Sequence, residues 1–162
     1  MTVTDPDNPS LRSPFSYQRY LNIPADTDYL TIWFGINDSA YADLGTIDDE
    51  DNTTFYGAWN KVLKYFLTNY PYMKIGIIIT DASDDLAFQE AVRQVAVKWG
   101  YPYLDLRKNP YLPAFFDKEG MCSEAQSLRR NAFGWNGPVA GHPNPERHLY
   151  ESTIIESFLR SI

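Results

Sequence analysis

Two short segments hold side chains that could act together on an acyl group. Gly35-Ile36-Asn37-Asp38 follows an apolar run, and the Asn37 amide could donate a hydrogen bond to a developing oxyanion without adding a full charge. Gly141-His142-Pro143-Asn144 precedes the last helical pattern, where the His142 imidazole could act as a general base. Each segment alone has a simpler explanation, because Asp38 could close an Asx turn and His142 could be a surface histidine.

The sequence gives little support for a metal site or a reactive thiol. His148 follows His142 by six residues, which is not the i, i+4 spacing of a helical metal pair. Cys122 is the single cysteine, which excludes a disulfide within the chain and a cysteine-based zinc site. Its acidic neighbours Glu119 and Glu124 disfavour the thiolate that a nucleophile needs.

The elements that must position the two segments follow from hydrophobic periodicity. Buried strands are predicted over 29–34, 74–80 and 101–106. Helices are predicted over about 15–21, 53–69, 88–99 and 146–160. Asn52 or Thr53 is predicted to cap the second helix, and Gly100 to end the third. The residues of the last helix predicted to face inward are Leu149, Ile154, Ile155, Phe158 and Leu159. The main order is β-α-β-α-β-loop-α. It predicts a three-layer α/β/α domain with a parallel sheet and right-handed crossovers.

The remaining segments are predicted to be irregular, within a single domain over 1–162. Residues 1–14 form an arm, and the acidic residues 48–51 form a solvated loop. Residues 107–145 hold five prolines and four glycines and are predicted to be one long ordered loop. Ligands bind at the carboxyl ends of parallel strands, so this loop would bring His142 to the edge that carries Asn37.

Composition excludes several classes of protein. The chain has 162 residues, of which 44% are hydrophobic and 22% charged, as expected of one globular domain. Acidic residues number 21 against 14 basic ones, and the formal charge of −7 argues against a nucleic-acid partner. No apolar run approaches the roughly 20 residues of a membrane span. The polar start of the chain does not resemble a signal peptide, so the sequence assigns no compartment.

In combination, the two segments resemble the SGNH hydrolases, also called GDSL-type esterases and lipases. Residues from about 28 to 162 follow the later part of that family in order. The run LTIWFGINDS at 30–39, followed by TFYGA at 54–58, is similar to a subgroup common in bacterial and phage-borne surface esterases. The resemblance implies a flavodoxin-like fold, ester hydrolysis, and no metal or organic cofactor.

The resemblance also implies roles for four residues. Asn37 would donate to the oxyanion, and Gly35 and Asp38 would shape the block around it. His142 would be the general base that takes a proton from a serine nucleophile.

Two departures from the family pattern affect this reading. The chain contains no Gly-Asp-Ser block, and its first strong strand already precedes Gly35, so the fold is expected to lack its amino-terminal part. Val139 stands where the family usually has an aspartate, three residues before the histidine. Neither Ser39 nor Ser83 lies at a strand-to-helix nucleophile elbow.

The sequence therefore favours the carboxyl-terminal part of an SGNH-type ester hydrolase. Its substrate would be a small-molecule or polysaccharide ester, such as a carbohydrate acetyl ester, with the serine supplied from outside this chain. The open sheet edge at 29–34 would be covered by a complementary chain or by a second copy.

Two other classes stay open. The first is an inactive SGNH-like module that binds glycans or has a structural role through the aromatic residues of the long loop, Tyr111, Phe115, Phe116 and Trp135. The second is a flavodoxin-like nucleotide or regulator domain, which the lack of a glycine-rich phosphate loop disfavours.

Overall fold

The computed structural model describes residues 15–81, 85–109, 120–134 and 142–162. Its strands are β1 (Tyr29–Ile32), β2 (Lys74–Ile79) and β3 (Tyr103–Asp105), and its helices are α1 (Phe55–Asn69), α2 (Leu86–Trp99), α3 (Ser123–Phe133) and α4 (Pro145–Ser161). Short 3₁₀ turns cover Arg19–Asn22 and Asp38–Ala40. The arm predicted over 1–14 lies outside the described residues.

The three described strands form one parallel sheet in the order β1-β2-β3. Tyr29 lies opposite Lys74, and Ile77 lies opposite Tyr103. The α/β class and the parallel sheet are confirmed. The predicted first strand is too long, because the chain leaves the sheet after Ile32 and turns at Gly35.

Alternating side chains of β2 contact different helices on the two faces of the sheet. Ile75, Ile77 and Ile79 belong to the core that α1 and α2 cover. Ile78 packs against Phe158 of α4, and a side chain added at Gly76 would also meet Phe158. Since neighbouring residues of a strand point to opposite faces, α4 lies across the sheet from α1 and α2. The three layers that the sequence predicts are therefore present.

The two crossover helices begin and end at identifiable capping residues. Thr54 caps α1 by accepting a hydrogen bond from the Gly57 N–H at 3.2 Å, so the cap is neither Asn52 nor Thr53, as predicted, but the residue after them. Asp85 caps α2 by accepting from the Ala87 N–H at 3.1 Å. Each such cap stabilises the fold by about 1 kcal/mol. Gly100 ends α2 in the left-handed conformation, as predicted.

The segment 107–145 is not irregular throughout, because it contains α3. Helix-forming residues such as Ala125, Gln126 and Leu128 favour this helix. Polar residues outnumber apolar ones in α3, and its one leucine, Leu128, is 63% exposed, so the hydrophobic signal for a helix is weak. This explains why the sequence pattern predicts a loop here.

Two other helix predictions need correction. The helix predicted over 15–21 is a turn followed by the short 3₁₀ turn, in which Tyr20 is buried. Leu149 was expected to face inward from the last helix but is 74% exposed, and the fully buried residues of α4 are Arg147 and Glu151. No helix in the described part of the chain is long and apolar enough to cross a membrane.

Replacing Gly57 with alanine is expected to destabilise the protein. A Cβ at this position would overlap the Asp51 carbonyl oxygen, and a backbone atom cannot move aside as a flexible side chain can. We expect Gly57→Ala to lower the free energy of unfolding by about 1–3 kcal/mol in urea titrations, as other overpacked sites do. A glycine-to-alanine change in an unobstructed helix instead stabilises by about 0.5–1 kcal/mol.

Gly100→Ala provides the comparison. Its added Cβ would meet nothing within 4 Å, so the cost of this change comes only from the left-handed backbone conformation. We expect it to lower the free energy of unfolding by about 1 kcal/mol. A Gly57→Ala protein as stable as the unmodified one would contradict the steric argument.

Candidate active site

The first predicted segment forms a tight turn at the carboxyl end of β1. Gly35 has φ of +132°, and a Cβ there would come within 3.3 Å of the Phe55 ring, so the position requires glycine. Asn37 then precedes the 3₁₀ turn, and its carbonyl accepts from the Ala40 N–H at 3.3 Å. The Asn37 side chain is exposed and makes no capping hydrogen bond. Its amide can therefore donate to a ligand at this edge.

Residues around Asn37 hold this turn in place. Asp38 is buried, and its carbonyl accepts from the N–H groups of Tyr41 and Ala42 at 3.0 and 2.8 Å. The Ser39 hydroxyl donates to the Ile36 carbonyl at 3.0 Å. Ser39 thus contributes to the turn itself, while Ser83 lies outside the described residues.

The second predicted segment enters α4 from α3. His142 is exposed, and the next residue, Pro143, forms an isolated antiparallel bridge with Gly134. The Asn144 N–H donates to the Phe133 carbonyl at 3.2 Å. The backbone that carries the imidazole is therefore anchored to the end of α3. Gly141 and Val139 lie outside the described residues.

Asn144 joins the two helices through its side chain. Its Oδ1 accepts from the Arg147 N–H at 2.9 Å, which caps α4, and its Nδ2 donates to the Ala132 carbonyl at 2.9 Å. One side-chain amide therefore pairs an N–H group in the first turn of α4 and also bonds to the last turn of α3. The predicted motif around His142 has a clear structural role at this residue.

A buried ion network lies one turn further along α4. The Arg147 Nη2 donates to Asp81 Oδ1 at 2.5 Å, and its Nε donates to Glu151 Oε1 at 2.6 Å. All three side chains are at most 3% exposed. The Arg107 Nη2 adds a hydrogen bond to the Asp81 carbonyl at 3.1 Å. The network joins the end of β2 to the start of α4.

The charged groups of the network are shielded from water, and this changes the pKa of Glu151. Burial raises the pKa of Glu151 above its ordinary value, although the hydrogen bond and positive charge of Arg147 oppose that shift. A buried carboxylate is costly unless it is paired and hydrogen-bonded, and here one guanidinium serves two carboxylates. Removing that guanidinium would leave both carboxylates without their shared counter-charge.

The network also fixes which edge of the sheet the His142 segment occupies. Asp81 comes directly after β2, and β2 lies beside β1. Parallel strands end at the same edge, so the start of α4 is held at the edge where Asn37 lies. The Asn37 turn and the start of α4, which His142 precedes by three residues, therefore lie at the same edge of the sheet.

One narrow crevice lies at this edge, between the strand ends and α2. It is lined by Phe34, Gly35, Ile79, Thr80, Phe88, Gln89 and Val92 and has a volume of about 10 Å³. That is room for roughly one water molecule.

Sequence reasoning missed the ion network. Arg147 and Glu151 have the i, i+4 spacing of a helix-surface pair, and that spacing gives no sign that the two side chains are buried. Nothing in the local sequence links either residue to Asp81, which is 66 positions from Arg147. The signal that could have located the pair is the poor apolar pattern in the first turns of α4, which leaves polar residues to face the sheet.

Comparison with known proteins supports the fold. No protein-family model matches the chain, and no curated protein matches it in sequence. A solved structure of a protein from Lactobacillus plantarum is 27% identical with a TM-score of 0.68, covering 88% of this chain and 71% of that one.

Two further solved structures are more distant in sequence. A candidate GDSL-like lipase from Bacteroides ovatus is 20% identical with a TM-score of 0.63, covering 91% of this chain and 60% of that one. A candidate lipase from Chitinophaga pinensis is 19% identical with a TM-score of 0.54, covering 90% of this chain and 77% of that one. At these identities the likeness establishes a GDSL-like lipase fold and leaves activity open.

Arg147→Met tests whether the ion network holds α4 in place. The change removes the guanidinium that the buried Asp81 and Glu151 carboxylates share, and breaking a buried ion pair in this way typically costs about 3–5 kcal/mol. The matched control is Arg160→Met, because Arg160 pairs with Glu156 at the same i, i+4 spacing on the same helix, but in solvent. An exposed pair contributes about 0–1 kcal/mol.

Chemical denaturation followed by circular dichroism would measure both variants. We expect a large drop in the unfolding midpoint for Arg147→Met and almost none for Arg160→Met. Equal midpoints would mean that the buried network does not stabilise the fold.

Proposed function

We propose that this chain supplies the oxyanion donor and the general base of an SGNH-type ester hydrolase. The proposal is supported by the Asn37 turn at the end of β1 and by the anchored segment that leads from His142 into α4, whose first turn bonds to Asp81 at the end of the neighbouring strand β2. Preorganised donors and bases of this kind stabilise charge that develops only in the transition state. The proposed substrate is an acyl ester, with a carbohydrate acetyl ester as the narrower hypothesis.

The proposed reaction is a two-step acyl transfer. A serine hydroxyl attacks the ester carbonyl as His142 takes its proton, and the Asn37 amide donates to the oxyanion. The imidazolium then protonates the departing alcohol, which leaves an acyl-serine. Water attacks this intermediate with His142 again as base, and releases the carboxylic acid and the free serine.

The proposed serine comes from outside the 162 residues, since they contain no Gly-Asp-Ser block. The free edge of β1 supports this part of the proposal. In the described part of the chain β1 pairs with β2 alone, and three aromatic side chains around it, Tyr29, Trp33 and Phe34, are 37–49% exposed. A strand that carries the nucleophile, or a second copy of the chain, would cover this edge.

The orientation of His142 needs a source other than position 139, which is valine. We assign it to the backbone anchors on the carboxyl side of the imidazole. Pro143 is bridged to Gly134, and Asn144 bonds to both α3 and α4. These contacts restrict the path of the main chain at His142, which limits the directions that its side chain can take.

An inactive module with the same fold is the second candidate function. The lack of a Gly-Asp-Ser block in these 162 residues and the valine at position 139 favour it. The aromatic residues that would bind a glycan in this alternative, Tyr111, Phe115, Phe116 and Trp135, lie outside the described residues. Glycan-array binding that survives His142→Ala, with no esterase activity in any form of the protein, would favour it.

The esterase proposal is tested by hydrolysis of p-nitrophenyl acetate. We expect the chain alone to hydrolyse this ester no faster than its His142→Ala variant. Reading the coding DNA upstream of Met1 for an in-frame Gly-Asp-Ser block then identifies the polypeptide to express. In that longer protein we expect His142→Ala to reduce kcat by about 10²–10⁴ and Asn37→Ala by about 10²–10³.

His148→Ala is the matched control, since His148 is the other histidine and is exposed on α4. Its activity should equal that of the unmodified protein. If the 162-residue chain alone shows clear His142-dependent turnover, the nucleophile lies within it and the proposal of an outside serine is wrong. If the longer protein keeps full activity without His142, the assignment of the base is wrong.

A further inference from the structure

Glu151 is a buried carboxylate that the proposed ester hydrolysis does not use. Its side chain is 3% exposed. In the described part of the chain its carboxylate accepts one hydrogen bond, from the Arg147 Nε at 2.6 Å. A buried carboxylate stays charged at low cost only where further hydrogen bonds satisfy its remaining lone pairs. Its position therefore disfavours the charged form of Glu151.

The counter-charge of Glu151 is shared with a second buried carboxylate. The Arg147 Nη2 donates to Asp81 Oδ1 at 2.5 Å, and the Asp81 side chain is 2% exposed. One guanidinium thus serves two carboxylates, and like charges held close together disfavour the ionisation of both. Arg107, from the segment after β3, donates to the Asp81 carbonyl at 3.1 Å and so bonds to the backbone of this network.

Three charged groups act on Glu151 among the residues that the structure describes. Arg147 favours its ionised form, and so does His148, which is exposed on the same helix. Asp81, at the end of β2, disfavours that form. Burial outweighs the two favourable groups and raises the pKa of Glu151 above its ordinary value of 4.5.

We propose that Glu151 is a pH-sensitive latch on the start of α4. When Glu151 is ionised, the Arg147 guanidinium is divided between two buried carboxylates. When Glu151 takes a proton from solvent, it becomes neutral, and the full charge of Arg147 is available to Asp81, which joins α4 to the end of β2. The first turn of α4, and the segment that leads into it from His142, are therefore held more firmly at the lower pH.

The sign of the effect on stability follows from proton binding. A folded state whose carboxyl has the higher pKa binds the proton more tightly than the unfolded state does. The contribution of Glu151 to the free energy of unfolding therefore rises as the pH falls through the folded pKa toward 4.5. At higher pH the buried charge opposes folding. The latch does not depend on the proposed esterase function.

Carbon NMR titration of the side-chain carboxyls tests the protonation step in the unmodified protein. We expect the Glu151 carboxyl to titrate at a higher pH than that of Glu156, which pairs with Arg160 at the same i, i+4 spacing but in solvent. Equal inflections, or a lower one for Glu151, would overturn the proposal. Because no residue is changed, a variant that fails to fold cannot obscure this result.

Urea denaturation of Glu151→Gln tests the effect on the fold, because glutamine has nearly the shape of the protonated acid and cannot ionise. Both the variant and its reference carry His148→Ala, so that titration of His148 does not enter the comparison. We expect Glu151→Gln to raise the urea midpoint at about pH 8, and to raise it less at about pH 5.5.

The matched control is Glu156→Gln in the same background, since an exposed ion pair contributes little to stability. Its midpoint should differ little from the reference, and by the same amount at both pH values. A lowered midpoint for Glu151→Gln at the higher pH, a change as large at the lower pH, or the same pH dependence in Glu156→Gln would each overturn the proposal. None of these measurements involves ester hydrolysis.

Discussion

The placement of α4 depends on one guanidinium that serves two buried carboxylates. Arg147 bonds to Asp81 at the end of β2 and to Glu151 on its own helix, with all three side chains at most 3% exposed. Apolar contacts of Ile154, Ile155 and Phe158 hold the later turns of the helix against the sheet. Such contacts are non-directional, whereas a buried ion pair tolerates little change in geometry. The network therefore specifies where the helix begins, and with it where the His142 segment lies.

The sequence predicts most of the layer on the α1 and α2 side of the sheet, because hydrophobic periodicity alone identifies its strand and helices. Ile75, Ile77 and Ile79 alternate along β2, and residues such as Trp59, Val62 and Phe66 recur at helical spacing on α1. The end of α2 can also be predicted from the local sequence, since glycine adopts the left-handed conformation of Gly100 at little cost. In these elements the local preference and the tertiary packing agree.

The other face of the sheet is less predictable because its contacts are polar and long-range. α3 is mostly polar, and the first turns of α4 bury Arg147 and Glu151 in place of the expected Leu149. Periodicity cannot identify a buried charge whose partner is 66 residues away. Which loops follow the carboxyl ends of the strands can nevertheless be predicted, because the order of strands and helices along the chain alone determines it. The chemical roles of Asn37 and His142 stay predictions.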